Sequence, residues 1–263
     1  MNAVFMEVMS DSPDKPVYKG GIEEMITIDG KWTMEGLSRE DLRRVKTPEE
    51  LTDYINKLGF LPLFKNEVQG FSVEEVTASD NWWSSEQEDP WSWREIIASR
   101  GEVAYGKLFC SRAGFVSREW YPYLASYRRD GYDFDSRYEE GLASSRSKKI
   151  MDVLARFELL PSNELKTAAG FGKAGERGFD STITQLQMQT YITVRSFHRK
   201  CNKKNEEYGW SVADYCLSER LFGEEHIRAG YSLSALKVKE KIIEHIKSKF
   251  PEAELAAIEK VMK

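Results

Sequence analysis

The pattern of apolar and polar positions predicts short helices that are followed by a β-hairpin. Thr47 and Pro48 begin a run with apolar residues at helical spacing up to Leu58, which indicates a capped helix. A second capped helix is expected after Asp89, and two short β runs around a tight turn over 103–117 predict a hairpin. One structural unit is therefore expected over about 47–117.

The same order returns in the second half of the chain. Two helices, a glycine-rich turn, a third segment and two strands are expected there, at 147–157, 162–169, 170–178, 181–190, 191–197 and 210–216. Helices followed by a hairpin with a basic tip are typical of a winged helix. A second unit is therefore predicted over about 146–217.

The sequence thus predicts an α+β fold of tandem winged-helix units, each a helix-turn-helix followed by a β-hairpin. Apolar residues at helical spacing after 235, and a helix that begins at Pro251, are expected to pack against the body of the protein. Four segments are predicted: an N-terminal appendage, a first unit with a Trp-rich region and a connecting helix, a second unit with a basic wing, and a C-terminal helical segment, at 1–46, 47–145, 146–223 and 224–263.

Composition indicates a folded protein. Of 263 residues, 41% are hydrophobic and 31% charged, and the net charge of -5 excludes a chain that is basic throughout. No apolar run approaches the roughly 18 residues of a membrane helix, and residues 1–10 do not have the pattern of a secretory signal. Three cysteines without a CxxC pair favour neither a disulfide framework nor a four-cysteine zinc site. We therefore expect a cytoplasmic protein with no membrane association, metal or cofactor.

The charge is unevenly distributed along the chain. Residues 146–204 contain 12 basic and five acidic side chains, a net charge of +7, so the remainder carries -12. A basic segment within an acidic protein predicts a surface that meets a polyanion such as DNA. The alternative is an ordinary solvated face.

Basic residues of this segment are the candidates for contacts with phosphates. One of them, Lys173, lies in a G-x-G-x-x-G string at 170–175, but that string follows a helix, so a flexible turn is favoured over a dinucleotide site. The predicted nucleic-acid-binding residues are Lys173, Arg177, Arg195, His198, Arg199, Lys200, Lys203 and Lys204. An ordinary soluble hairpin tip is the alternative for the last five.

Three glutamines form the most unusual stretch, at Gln185, Gln187 and Gln189. On a helix Gln185 and Gln189 share a face, whereas on a strand all three do, and periodicity leaves both open. A carboxamide both donates and accepts, so it can pair with base edges or hold a water molecule near a sugar. A solvated polar face is the alternative.

Two further clusters are better explained by structure than by chemistry. Four tryptophans within 82–93 suit a base-stacking platform or core packing, and their acidic surroundings favour packing. The carboxylates of 130–140 lie beside Arg128, Arg129 and Arg137, so a surface charge network is expected there.

The chain resembles the AlkZ/YcaQ class of DNA glycosylases, and most closely the bacterial AlkZ-related proteins. The resemblance spans roughly 47–223 and is carried by the Q-x-Q strings and by segments 89–97, 127–135 and 186–191. It implies winged-helix structure and removal of alkylated purines from DNA. It also places a catalytic Gln-apolar-Gln signature on Gln185 with Gln187, or on Gln187 with Gln189.

We therefore expect a protein that binds double-stranded, damaged DNA and that acts on alkylated bases in the manner of a glycosylase. In this hypothesis Gln187 and a second glutamine position the attacking water. The residues leave open whether the protein is an enzyme. A non-catalytic DNA-binding regulator, or a protein-interaction module that uses the Trp-rich acidic region, is the alternative.

Overall fold

A computed structural model describes residues 26–28, 31–84, 86–201, 204 and 207–263. The N-terminal part and first unit contain β1 (Ile26–Ile28), β2 (Lys31–Thr33), α1 (Pro48–Leu58), β3 (Phe60–Pro62), α2 (Val73–Val76), α3 (Pro90–Arg100), β4 (Val103–Phe109) and β5 (Arg112–Ser117). Two connecting helices follow, α4 (Tyr121–Arg129) and α5 (Phe134–Glu139).

The second unit contains α6 (Ser145–Arg156), β6 (Leu160–Pro161), α7 (Ser162–Ala168), α8 (Phe179–Met188), β7 (Ile192–Cys201) and β8 (Glu207–Leu217). The C-terminal part contains α9 (Ser218–Phe222), α10 (Glu224–Arg228), α11 (Ala235–Lys249) and α12 (Leu255–Val261). The predicted combination of helices and antiparallel hairpins is confirmed.

Both units have the same order of elements, helix-strand-helix-helix-strand-strand, and the same strand pairing. In each, the last two strands form an antiparallel hairpin, and the short first strand pairs with the last, β3 with β5 and β6 with β8. The sequence did not predict the short strands β3 and β6, because two or three residues between helices are too few to show an alternation of apolar and polar positions.

The two hairpins join in one six-stranded sheet of order β3-β5-β4-β7-β8-β6. The junction is the antiparallel pair β4 and β7, where Tyr105 lies opposite Val194. From either edge, the order is first strand, last strand, middle strand of a unit, because β3, β5 and β4 correspond to β6, β8 and β7. This arrangement is expected for two units related by an approximate two-fold rotation. The centre of the sheet is therefore shared by both units.

Helix starts follow the predicted caps in the first unit. The Thr47 side chain accepts from the Glu50 N–H at 3.1 Å, and the Asp89 carboxylate accepts from the Trp91 N–H at 2.9 Å. The glutamine stretch at 185–189, for which periodicity left helix and strand both open, lies in helix α8 and at its end. The helix begins before Ser181, because Gly178 adopts a left-handed conformation (φ +86°) that ends the preceding turn.

The C-terminal helices pack against the body as predicted. Val238, Ile242 and Ile246 of α11 are buried in the core, where α11 packs on α4. The last helix begins at Leu255 and not at Pro251, because 251–254 form a turn that reverses the chain. Within the described residues, no helix combines the length and apolar character needed to cross a membrane.

The β4–β5 hairpin turns on Cys110 and Ser111, two non-glycine residues with φ of +48° and +64°. Asn-Gly is the preferred pair for two successive positive φ angles. We expect the double substitution Cys110→Asn, Ser111→Gly to raise the free energy of unfolding by about 1 kcal/mol in urea titrations. Ser111→Ala is the control and keeps the strained backbone; equal stability of the two variants would contradict this turn geometry.

Candidate nucleic-acid interface

Helix α8 is fixed on strand β4 by the side chain of Gln187, which is only 1% exposed. Its Oε1 accepts from the Lys107 N–H at 3.0 Å, and its Nε2 donates to the Ile183 carbonyl at 3.2 Å. A Cβ at Gly106 would lie 3.0 Å from Gln187 Oε1, so the missing side chain permits this close approach. Gln187 therefore faces the interior and acts as a bridge between the units.

The other two glutamines lie on the opposite side of α8. Gln185 is exposed, Gln189 at the end of the helix is half-buried, and Ser181 is exposed one turn earlier. We call Ser181, Gln185 and Gln189 the α8 stripe, since positions four apart share a helix face. The three amides do not form a single row, because the segment is a helix and not a strand.

Lys107 provides a second polar contact between β4 and α8. Its ammonium lies 3.3 Å from Thr184 Oγ1 and is half-buried. Burial lowers the pKa of Lys107 below its usual value, and the nearby Asp180 carboxylate opposes that shift. Sequence patterns indicated Lys107 only as a strand residue, since its contact is more than 70 positions away in the chain.

The end of α8 is held by a turn at Thr190, a non-glycine residue with φ +63°. Its carbonyl accepts from Ser218 Oγ at 2.6 Å, from the Arg129 guanidinium at 2.5 Å and from the Tyr121 hydroxyl at 3.2 Å. Three donors on one buried carbonyl hold a backbone conformation that is otherwise unfavourable. This turn sets the direction in which β7 leaves the helix.

Two neighbouring arginines of α4 donate to backbone carbonyls at the end of α8, Arg129 to Thr190 and Arg128 to Met188, so the expected surface charge network is wrong for them. Arg129 is 2% exposed and pairs with Glu219 at 2.5 Å. The Arg128 guanidinium donates to the Met188 carbonyl at 2.9 Å and to the Leu108 and Met262 carbonyls. Burial lowers the pKa of Arg128 to about 10. The sequence did not predict that Arg128 and Arg129 point inward, because their charged neighbours in the chain indicated an exposed network.

The predicted basic residues have different environments. Lys173 and Arg177 are exposed in the turn that precedes α8. Arg195 is half-buried and donates to the Ala98 carbonyl at 3.1 Å and to that of Ser99, at the end of α3. Arg195 therefore caps the third helix of the first unit, as cations do at helix C-termini.

The β7–β8 hairpin, which we call the wing, carries the remaining candidates. His198 Nδ1 lies 2.7 Å from Asp214 Oδ1, and Ser196 Oγ donates to the other oxygen of that carboxylate at 2.7 Å. Arg199 is exposed and lies 4.0 Å from Glu207. Exposed cations also occur at Lys200 and Lys204, whereas Lys203 lies outside the described residues.

Other cations of the basic segment are partly neutralised by neighbours. Arg146 and Lys149 both pair with Glu176, at 3.5 Å and 2.6 Å. Lys148 pairs with Asp152 one turn along α6. These exposed pairs contribute little to stability, and they reduce the positive potential on that side of the unit. Exposed cations of the segment remain in the turn before α8 and in the wing, and also at Arg156 on α6 and Lys166 on α7.

The tryptophan cluster packs in the core, the interpretation that its acidic surroundings in the sequence favoured over a base-stacking platform. Trp82 and Trp93 are buried, and their indole N–H groups donate to Thr77 Oγ1 at 3.0 Å and to the Gln87 carbonyl at 2.9 Å. The half-buried Trp91 packs under the Arg94 guanidinium, 3.9 Å from the ring centroid.

Among the described residues, no three His, Cys, Asp or Glu side chains are grouped so that they could hold a metal.

Comparison with known proteins identifies the family. The model of the family described as "AlkZ related" matches residues 45–263, so the chain belongs to the AlkZ-related family. A solved structure, the DNA glycosylase AlkZ of Streptomyces sahachiroi, is similar with 13% identity and a TM-score of 0.42. The similar region covers 78% of this chain and 52% of that one, so this chain spans about half the length of that structure. No curated protein matches.

Replacing Gln187 with Met tests the bridge between α8 and β4. Met has a similar length but accepts no strong hydrogen bond, so the buried Lys107 N–H is left unpaired. We expect the free energy of unfolding to fall by about 1 to 3 kcal/mol. Gln185→Met is the matched control, and its exposed position predicts a change within about 0.5 kcal/mol. Equal effects of the two substitutions would show that Gln187 does not face the interior.

Replacing Arg129 with Met tests the support of the Thr190 turn. The substitution removes a buried ion pair and two hydrogen bonds to Thr190, so we expect a loss of about 3 kcal/mol in thermal or urea unfolding. Arg228→Met is the control, because its pair with Glu224 is exposed on both sides. A loss as small as that of the control would contradict the inward placement of Arg129.

Proposed function

We propose that this protein binds double-stranded DNA through two winged-helix units. The order helix-strand-helix-helix-strand-strand in each unit, with the first strand paired to the last, supports this interpretation. In winged helices and other helix-turn-helix proteins, the third helix of such a unit enters the major groove and the hairpin lies beside it. Here those elements are α8 and the wing.

The observation that carries the proposal is the division of α8 into two polar sides. Gln187 and Thr184 fix the inner side on β4, and the α8 stripe remains at the surface. Exposed cations lie before the helix at Lys173 and Arg177. A carboxamide stripe bordered by cations suits DNA, since carboxamides pair with base edges and cations bind phosphates.

Membership of the AlkZ-related family supports glycosylase-like action on alkylated bases as the second part of the proposal. In that reaction the base leaves as the sugar gains positive charge, and water attacks the sugar. The solvent-facing pair for holding this water is Gln185 with Gln189. Gln187 supports the pair from inside the fold, because both ends of its carboxamide bind backbone groups of the protein.

DNA binding is tested by measuring affinity for a duplex at several salt concentrations. We expect the logarithm of the affinity to fall linearly with the logarithm of salt, by about 0.9 per phosphate contact. Lys200→Ala reduces the magnitude of this slope by about 0.9, whereas Lys237→Ala on α11 leaves it unchanged. Affinity that is independent of salt would contradict electrostatic binding by the wing.

Base excision is tested separately by chromatography of free bases released from alkylated duplex DNA. The wild-type protein is expected to release base, and Gln185→Ala to reduce the rate by about a hundredfold or more, the usual effect of removing one positioned catalytic group. Binding without release, with Gln185→Ala reducing affinity alone, would identify a non-catalytic DNA-binding protein. Absence of binding and release together would favour a protein-interaction module.

A further inference from the structure

The wing exposes two large aromatic side chains that the interface described above does not use. Tyr208 is 53% exposed and Trp210 is 63% exposed, both on β8. By contrast, Trp82 and Trp93 are fully buried. The two rings lie two positions apart on one strand, and exposed aromatic side chains on neighbouring positions are candidate contacts for a ligand.

An irregularity in the wing places these rings at the surface. Lys200 lies opposite Tyr208 and His198 opposite Val212, so β8 uses four steps where β7 uses two. Gly209, with φ +71°, lies within this bulge. Bulges re-aim side chains, and this one accompanies the exposure of Trp210. Ser211, the next residue, turns inward and donates to Glu95 of α3 at 3.0 Å.

Among the described residues around the rings, the exposed cations Arg199, Lys200 and Lys204 outnumber the exposed carboxylate of Glu207, which precedes Tyr208 and lies 4.0 Å from Arg199. Lys200 is the cross-strand partner of Tyr208, and Arg199 precedes it with its side chain exposed. The imidazole of His198 is oriented by the buried Asp214 carboxylate at 2.7 Å. Aromatic rings among cations form the combination that binds unpaired nucleotides, since the rings stack on bases and the cations bind the backbone.

We infer that strand β8 of the wing binds an unpaired base of DNA by stacking on Trp210 and Tyr208. A fully paired duplex hides its base faces, so the rings favour DNA in which a base is extruded, bulged or single-stranded. This inference rests on the proposed DNA binding and narrows its substrate class to DNA with a locally opened helix. A protein surface is a poorer match, because it offers no regular array of negative charge to Arg199 and Lys200.

The test compares the affinity of the full chain for three labelled DNAs of equal length. These are a paired duplex, a duplex with one unpaired base, and a single strand. We expect the wild-type protein to prefer the duplex with the unpaired base by about fivefold to a hundredfold, the range for stacking of one base. Trp210→Ala abolishes most of this preference and leaves affinity for the paired duplex nearly unchanged, while Trp210→Phe retains it.

Controls separate stacking from charge and from folding. Leu236→Ala removes a side chain that is 67% exposed on α11, and it is expected to leave all three affinities unchanged. Lys200→Ala is expected to lower the affinity for all three DNAs by a similar factor. Thermal unfolding of Trp210→Ala is expected to match the wild type, because the ring is exposed.

The outcomes distinguish this inference from the proposed function. If the wild type binds all three DNAs with the same affinity and salt dependence, the inference is wrong and DNA binding stands. If Trp210→Ala weakens the paired duplex as much as the opened one, the stacking role is also overturned. Loss of duplex binding with retained, Trp210-dependent binding of the single strand would overturn the proposed function alone. Absence of binding to any DNA would overturn both.

Discussion

Each unit of this fold packs its third helix on the central strand of the other, and a polar side chain fixes each crossing. Gln187 of α8 accepts from the backbone of β4 at Lys107, and Arg195 of β7 donates to the carbonyl groups at the end of α3. Rotation of either helix would break its contact and leave a backbone group without its partner. The shared sheet and these two contacts make one rigid support from two similar halves.

This constraint decides which residues of α8 are available to a ligand. With Gln187 turned inward, the α8 stripe remains at the surface together with Asp180 in the first turn. The Thr190 turn then directs β7 into the wing. The paired arginines of α4 hold that turn from below through backbone carbonyls, with Glu219 as the acidic partner of Arg129. Charged residues near the candidate interface thus serve two purposes, some as internal supports and others as exposed cations.

Local signals in the sequence predicted much of the fold and only part of the interface. Caps at Thr47 and Asp89 and the alternation of the hairpins are local, so the repeated units could be identified before the sheet was known. The direction of a polar side chain depends on distant contacts. For this reason the pattern left open whether Gln187 shares a face with Gln185 and Gln189. It also placed Arg129 at the surface, because the partners of Arg129 lie more than 60 residues away in the chain.

The most direct test of the account is a nitrogen–proton correlation spectrum of the glutamine side-chain amides, recorded as duplex DNA is added. We predict that the Gln185 and Gln189 signals shift until the protein is saturated with DNA, while the Gln187 signals remain in place. Movement of the Gln187 signals, with those of Gln185 and Gln189 unchanged, would contradict it. That result would mean that the inner side of α8, and not its stripe, contacts the nucleic acid.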